Sequence, residues 1–205
     1  MEKVDFKKSL DWYQGKHHVF RQLTVPPVKY LMVDGHGDPN TSQEFTEAIE
    51  ALFPVAYKLK FASKQELGKD YVVMPLEGLW WAEDMTTFTT ARDKSRWDFT
   101  LMIMQPEWIT EEMFAAAYKK VSQKDPPAAL AKVRFEVLDE GLCVQTLHIG
   151  SYDNETEILR QLHDEYLPTH GLRMVQKHHE IYLSDFRKVA PDKLRTILRQ
   201  PVARI

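Results

Sequence analysis

The chain holds one cysteine, Cys143, in 205 residues. That scarcity excludes an internal disulfide framework and any metal site built on several thiolates. Basic charge is also short, with 27 Lys and Arg against 30 Asp and Glu and a formal net charge of -3. Without a cationic surplus to neutralise phosphates, nucleic acid is not an expected partner, and neither is an anionic membrane surface. No apolar run approaches the roughly 20 residues of a membrane-spanning helix. The opening MEKVDFKKSLDWYQGKHH lacks the apolar stretch of a signal peptide, so the expectation is a soluble cytoplasmic protein. Familiar cofactor signatures are missing too. No HExxH spacing occurs, and the glycines of DGHGDPN (34–40) come without a Lys-Ser/Thr pair or GxGxxG spacing. No metal and no cofactor is expected. Cys143 has no His/Asp partner that the sequence identifies, which argues against a nucleophilic thiol.

What is present is a core-forming composition, 43% hydrophobic, with two kinds of periodicity. VKYLMVDGHGDPN (28–40) reads as a strand that breaks in a turn. TSQEFTEAIEALF (41–53) reads as a helix, with Thr41 and Glu44 as a capping box and Phe45, Ala48, Ile49 and Leu52 on one face. Pro54 should kink or interrupt it. Residues 70–83 read as a strand disturbed at Pro75, and 96–106 as another. WITEEMFAAAYKKV (108–121) is a helix capped by Thr110. Residues 132–154 read as a hairpin turning at DEG, 155–168 as a helix with Ile158, Leu159, Leu162 and Tyr166 on one face, and the last two strands follow. Residues 1–27 form an irregular lead-in with one short helix.

Both halves then share one order, strand–helix–strand–strand: 28–35, 41–53, 70–81 and 96–104, against 142–149, 155–168, 174–184 and 193–202. The fold class is α+β: two pseudo-twofold-related modules, about 28–121 and 132–205, with a ligand groove between them. A cleft between similar lobes is a common place for a small-molecule site.

The stretch VQKHHEIYLSD (175–185) carries the densest polar chemistry. On a strand, alternation puts His178, Glu180 and Tyr182 on one face and His179, Ile181 and Leu183 on the other. The adjacent histidines point apart, so they cannot chelate one metal together. The apolar set suits a helix-covered face, which leaves Glu180 toward the open face or groove. A polar edge strand without function is the plain alternative. The matching strand of the first half carries Glu77, Trp80 and Trp81, followed by Trp97, Phe99, Met102 and Met104. Aromatic walls, pliable methionines and a carboxylate suit a planar or cationic ligand. A glutamate enclosed by such walls can anchor a cation or act as a general base. Tyr152, in HIGSYDNE, falls at a strand–helix junction near the groove mouth.

Taken in succession, VDGHGDPN, AIEALFPVAYKLKF, LEGLWW, TLHIGSYDNE and HHEIYLSDFRKVAPDKLRTILRQPV resemble the stand-alone GyrI-like small-molecule-binding family, from about residue 28 to 202. The resemblance implies a tandem pair of strand–helix–strand–strand modules. It implies a groove for lipophilic cations or other aromatic compounds with a glutamate at its base. Some stand-alone members are similar to hydrolases that open the spirocyclopropane ring of DNA-alkylating natural products. Carried over, the resemblance gives Glu180, Glu77 and Tyr152 as catalytic candidates. Trp80, Trp81, Trp97, Phe99, Met104, His178 and Tyr182 are the ligand-binding candidates. Ser151 stands where many relatives place proline, and Pro54 inside the helix is also a departure. No helix-turn-helix precedes the domain, so direct DNA binding is not expected. The expected partner is an aromatic or cationic small molecule, with no obligate protein partner. Three readings stay open: a binding module, a hydrolase acting on a strained ring, and a protein that restrains a partner such as gyrase.

Overall fold

The computed structural model describes residues 3–83 and 93–205. In chain order the first half holds β1 (Lys3–Val4), α1 (Phe6–Ser9), β2 (Arg21–Val25), β3 (Val28–His36), α2 (Gln43–Glu66), β4 (Asp70–Tyr71), β5 (Glu77–Trp81) and β6 (Asp98–Gln105). There follow α3 (Glu111–Ser122), β7 (Arg134–Leu138), β8 (Gly141–Ile149), α4 (Glu155–Arg160), a π-helical turn (Gln161–Tyr166), α5 (Leu167–Thr169), β9 (Leu172–Met174), β10 (His178–Tyr182) and β11 (Arg195–Arg204). Among the described residues nine strands make one sheet, in the order β2-β8-β11-β10-β5-β6-β3-β7, with β9 on the end of β11. The six inner strands read β8-β11-β10 and then β5-β6-β3. Two strand–helix–strand–strand units, β3–α2–β5–β6 and β8–α4–β10–β11, therefore meet through equivalent strands, and β5 runs antiparallel to β10.

Helix α2 runs unbroken through Pro54, against the expected interruption. Its buried stripe explains why. Ala48, Leu52, Val55, Ala56 and Leu59 are at most 1% exposed. Burying a Val or Leu side chain contributes about 1.5–3 kcal/mol, so this row together outweighs the roughly 3 kcal/mol of an interior proline. The cap is Ser42, whose Oγ accepts from the Phe45 amide at 3.4 Å, and not Thr41. Thr110 caps α3 as expected, accepting from Met113 N. The expected strand over 70–81 divides into β4 and β5, with Pro75, which has no amide to donate, in the gap.

The hairpin expected over 132–154 does not form. Strand β7 pairs with β3 at one edge of the sheet, while β8 lies between β2 and β11 near the other. The link between them crosses the sheet because Glu140 is drawn in to His179 and Arg199. Gly141, at φ +64°, takes the left-handed turn into β8. The lead-in is also more ordered than its composition indicates. Strand β2 pairs with β8, β1 pairs with β4, and Tyr13 is 2% exposed. One sheet face thus carries the helices. The other is covered by the N-terminal segment and the β7–β8 crossing.

Candidate functional site between the two helices

Strand β10 alternates, so His178, Glu180 and Tyr182 share a face. Its register with β5 sets Trp80 opposite His178 and Gly78 opposite Glu180, and β6 sets Phe99 opposite Trp80. This is the face that carries the helices, the reverse of the expectation. Phe45 of α2 stacks on Trp80 with centroids 6.2 Å apart, and His163 of the π-helical turn meets His178 edge-on at 6.4 Å. The apolar set around His179 lies instead under the N-terminal segment, a cover that local periodicity does not reveal. Because α2 packs over β3 and β6, and the second helical segment packs over Val144 and Val202, the central strands β5 and β10 floor the space between them.

At that floor the Tyr182 hydroxyl donates to Glu180 Oε2 at 2.8 Å, and Trp80 Nε1 donates to the Tyr182 oxygen at 2.9 Å. Glu180 Oε1 lies 3.6 Å from His178 Nε2, beyond hydrogen-bonding distance, and the Glu180 side chain keeps 15% exposure. Tyr152 stands edge-on to Tyr182 at 5.7 Å, and Trp97 edge-on to Trp80 at 5.8 Å. Gly78, opposite Glu180, lets the Trp80 indole and the Tyr182 hydroxyl close over the strand. A Cβ there would come within 2.8 Å of Trp80 Nε1 and 3.1 Å of the Tyr182 oxygen. Burial, with the nearby Glu180 charge, raises the pKa of both Tyr182 and Tyr152. Both phenols therefore keep their protons and act as donors. Burial pushes the His163 imidazole down to about 4. Its Nε2 and both ring nitrogens of His178 are buried without a hydrogen bond. Among the described residues no cluster of three or more His, Cys, Asp or Glu is arranged to hold a metal ion.

The structure thus brings together Glu180, Tyr182, His178, Tyr152, Trp80, Trp97 and Phe99. It does not bring Glu77, Trp81 or Met104 to them. Strand β5 is regular through Gly78, so Glu77 and Trp81 fall on the opposite face, as does Met104, which pairs with Tyr30. Glu77 is fully buried. It accepts from the Tyr13 hydroxyl and bonds His179 Nε2 at 2.9 Å. His179 Nδ1 reaches Glu140 at 2.9 Å, and Arg199 Nη1 reaches the other Glu140 oxygen at 2.8 Å. Arg199 also donates to Gln145 and to the Trp12 carbonyl. Burial alone would lower the His179 pKa, but Glu140 and Glu77 outweigh it and the pKa is raised. Burial alone would raise that of Glu140, but His179 and Arg199 hold it at about 2. Two carboxylates, one guanidinium and one imidazolium then sum to zero. The Glu77 environment is a closed ion network that ties the N-terminal segment to the sheet. Phe45 and His163 were missing from the sequence candidates. Phe45 falls with Ala48, Ile49 and Leu52 on one face of its helix, and His163 lies four residues after Leu159, at the border of the apolar face of 155–168. That spacing was the available signal.

The space between two helices over paired central strands, with an acidic group at its floor and aromatic walls, defines a small-molecule receptor fold. Residues 18–203 match the GyrI-like small molecule binding domain, and the chain belongs to that family. No curated protein matches the chain. Solved structures from Listeria innocua are similar over 98% of this chain and 100% of theirs. One is an uncharacterized conserved protein, at 36% identity and a TM-score of 0.89. Two others are each described as a hydrolase, at 35% and 33% identity with TM-scores of 0.87 and 0.83. The C-terminal domain of EcmrR is 12% identical with a TM-score of 0.56, over 91% of this chain and 98% of that one, a likeness of fold alone. No helix among the described residues is long and apolar enough to cross a membrane.

Proposed function

We propose that this chain binds a lipophilic aromatic compound between its two helices and hydrolyses a strained ring of spirocyclopropane type, a detoxifying reaction. The observation that carries the reading is the state of Glu180. One carboxylate oxygen is held by Tyr182, while the other has no hydrogen bond and faces a partly exposed, aromatic-walled space. Such an oxygen can hold and deprotonate a water. The water oxygen bonds to a ring carbon, the ring C–C bond breaks, and its electron pair passes into the conjugated carbonyl, which becomes a phenolate. The proton taken by Glu180 is returned to that phenolate oxygen. Tyr152, whose hydroxyl makes no hydrogen bond among the described residues, would donate to it. The hydrolase relatives at 33–35% identity support turnover.

General-base help of this kind contributes about 10²–10⁴ in rate. Mass spectrometry of a spirocyclopropane compound incubated with the protein should show gain of one water. Glu180→Gln should slow it about 100-fold or more, and Tyr152→Phe about tenfold. No gain over buffer would overturn the hydrolytic reading. The aromatic walls by themselves favour a second reading, binding without turnover. There a cationic dye would quench tryptophan emission, more weakly in Glu180→Gln, and no water would be added.

A further inference from the structure

We infer that Trp80 is a positioning residue: acting through Tyr182, it orients the Glu180 carboxylate from the other strand–helix–strand–strand unit. The inference deepens the reading of Glu180 as the group that meets the ligand, and rests on it. Glu180 and Tyr182 stand on β10, whereas Trp80 stands on β5. These strands belong to different units and pair directly, with Trp80 opposite His178 and Gly78 opposite Glu180. The Trp80 indole lies back across Gly78. A Cβ on Gly78 would stand 2.8 Å from its Nε1 and 3.3 Å from its Cε2, so the indole can lie there only over a glycine. From this place Nε1 donates to the Tyr182 oxygen at 2.9 Å, and the Tyr182 hydroxyl donates to Glu180 Oε2 at 2.8 Å.

Direction is what the indole contributes. A phenol oxygen both donates and accepts, but an indole N–H only donates. With Trp80 donating, the Tyr182 hydrogen cannot point at the indole and is turned to Glu180. The donations then run one way, and bonds in such a chain strengthen one another. They end on Oε2, which leaves Oε1 as the oxygen without a hydrogen bond. The indole is otherwise enclosed. Trp80 is 4% exposed, with the rings of Phe45, Phe99 and Trp97 centred 6.2, 5.6 and 5.8 Å from its own. The resemblance makes Trp80 a ligand-binding candidate; its enclosure assigns it instead to the support of the acidic group.

The test uses the full chain labelled with ¹⁵N-tryptophan and follows the Trp80 indole N–H resonance, assigned through Trp80→Phe. Tyr182→Phe removes the acceptor, and the proton resonance should move upfield. Glu180→Gln leaves the indole's own partner in place, yet should also move it upfield, because the hydroxyl between them then donates to a neutral amide. With Tyr182→Phe already present, Glu180→Gln should add nothing. Unshifted Trp12 and Trp108 resonances would show the fold intact. A Trp80 resonance unmoved in Glu180→Gln, or moved equally with Tyr182→Phe present, would overturn the inference. Turnover separates it from the hydrolytic reading. On a spirocyclopropane compound Trp80→Phe should lower kcat about two- to tenfold, the worth of one hydrogen bond, with little change in KM. In Tyr182→Phe it should have no further effect. An equal loss in both backgrounds would overturn the relay while hydrolysis stood. No turnover by the natural protein would overturn the hydrolytic reading alone, and the resonances would still decide the relay.

Discussion

Glu140→Gln is the sharpest probe of the buried ion network. The Glu140 side chain is 2% exposed, and its oxygens take hydrogen bonds from His179 at 2.9 Å and Arg199 at 2.8 Å. An amide can accept from only one of these donors, and its NH2 must then face the other. The substitution also removes one of two negative charges from a cluster that sums to zero, leaving a buried excess of one positive charge. Removing one partner of a buried pair costs about 3–5 kcal/mol. For a chain of this size that corresponds to a Tm loss of roughly 6–20 °C. The cluster has one escape, release of the His179 proton, and this sets the pH dependence. In the natural protein the His179 pKa is raised. Its contribution is therefore full below the unfolded value of about 6.5 and is lost as pH rises through the folded value. In Glu140→Gln the folded state favours neutral His179, so the unfolded state binds more protons and stability rises with pH between about 5 and 7. Urea unfolding followed by tryptophan emission at pH 5, 6, 7 and 8 measures both effects. A loss below about 1 kcal/mol throughout, or a slope of the natural sign in the variant, would refute the charge accounting.

Gly78→Ala should place a methyl 2.8 Å from Trp80 Nε1 and 3.1 Å from the Tyr182 oxygen, displacing both side chains. Loss of their hydrogen bond should cost about 0.5–1.5 kcal/mol by urea unfolding. Dye binding between the helices should fall much further. Pro54→Ala should raise stability by about 1–3 kcal/mol, because alanine removes the interior-helix cost while releasing some unfolded-chain restriction; a neutral or destabilised variant would show that Pro54 packs better than its helix geometry indicates. Cys143 is fully buried, and burial followed by the Glu140 charge pushes its thiol up to about 12. Its reaction with a disulfide reagent at pH 8 should therefore proceed only as fast as the protein opens, and a rapid native-state reaction would contradict that.

Much of the architecture was legible from local pattern. The doubled strand–helix–strand–strand order emerged because strand and helix periods, caps such as Thr110 and breakers such as Pro75 act over a few residues. Alternation likewise separated His178, Glu180 and Tyr182 from His179 before any contact was known, since side chains on a strand must alternate. The same rule separates Glu77 and Trp81 from Trp80. Combining both groups into one groove rests on the concentration of aromatic residues and on a register disturbed at Gly78 and Pro75, and the regular register of β5 does not permit it.

What the chain alone determined is which residues share a face; what it could not determine is what covers each face. Cover comes from segments remote in sequence. Tyr13 closes over Glu77 from 64 residues away, and Glu140 reaches His179 across 39. The link that carries Glu140 takes β7 and β8 to separate parts of the sheet, where local turn signals indicated a hairpin. Burial, and with it the charge state of every group in the ion network, is a property of the assembled sheet. Glu180 and Glu77 are the same residue type on neighbouring strands. Tertiary structure alone made one a closed ion-pair member and left the other with one oxygen outside any hydrogen bond.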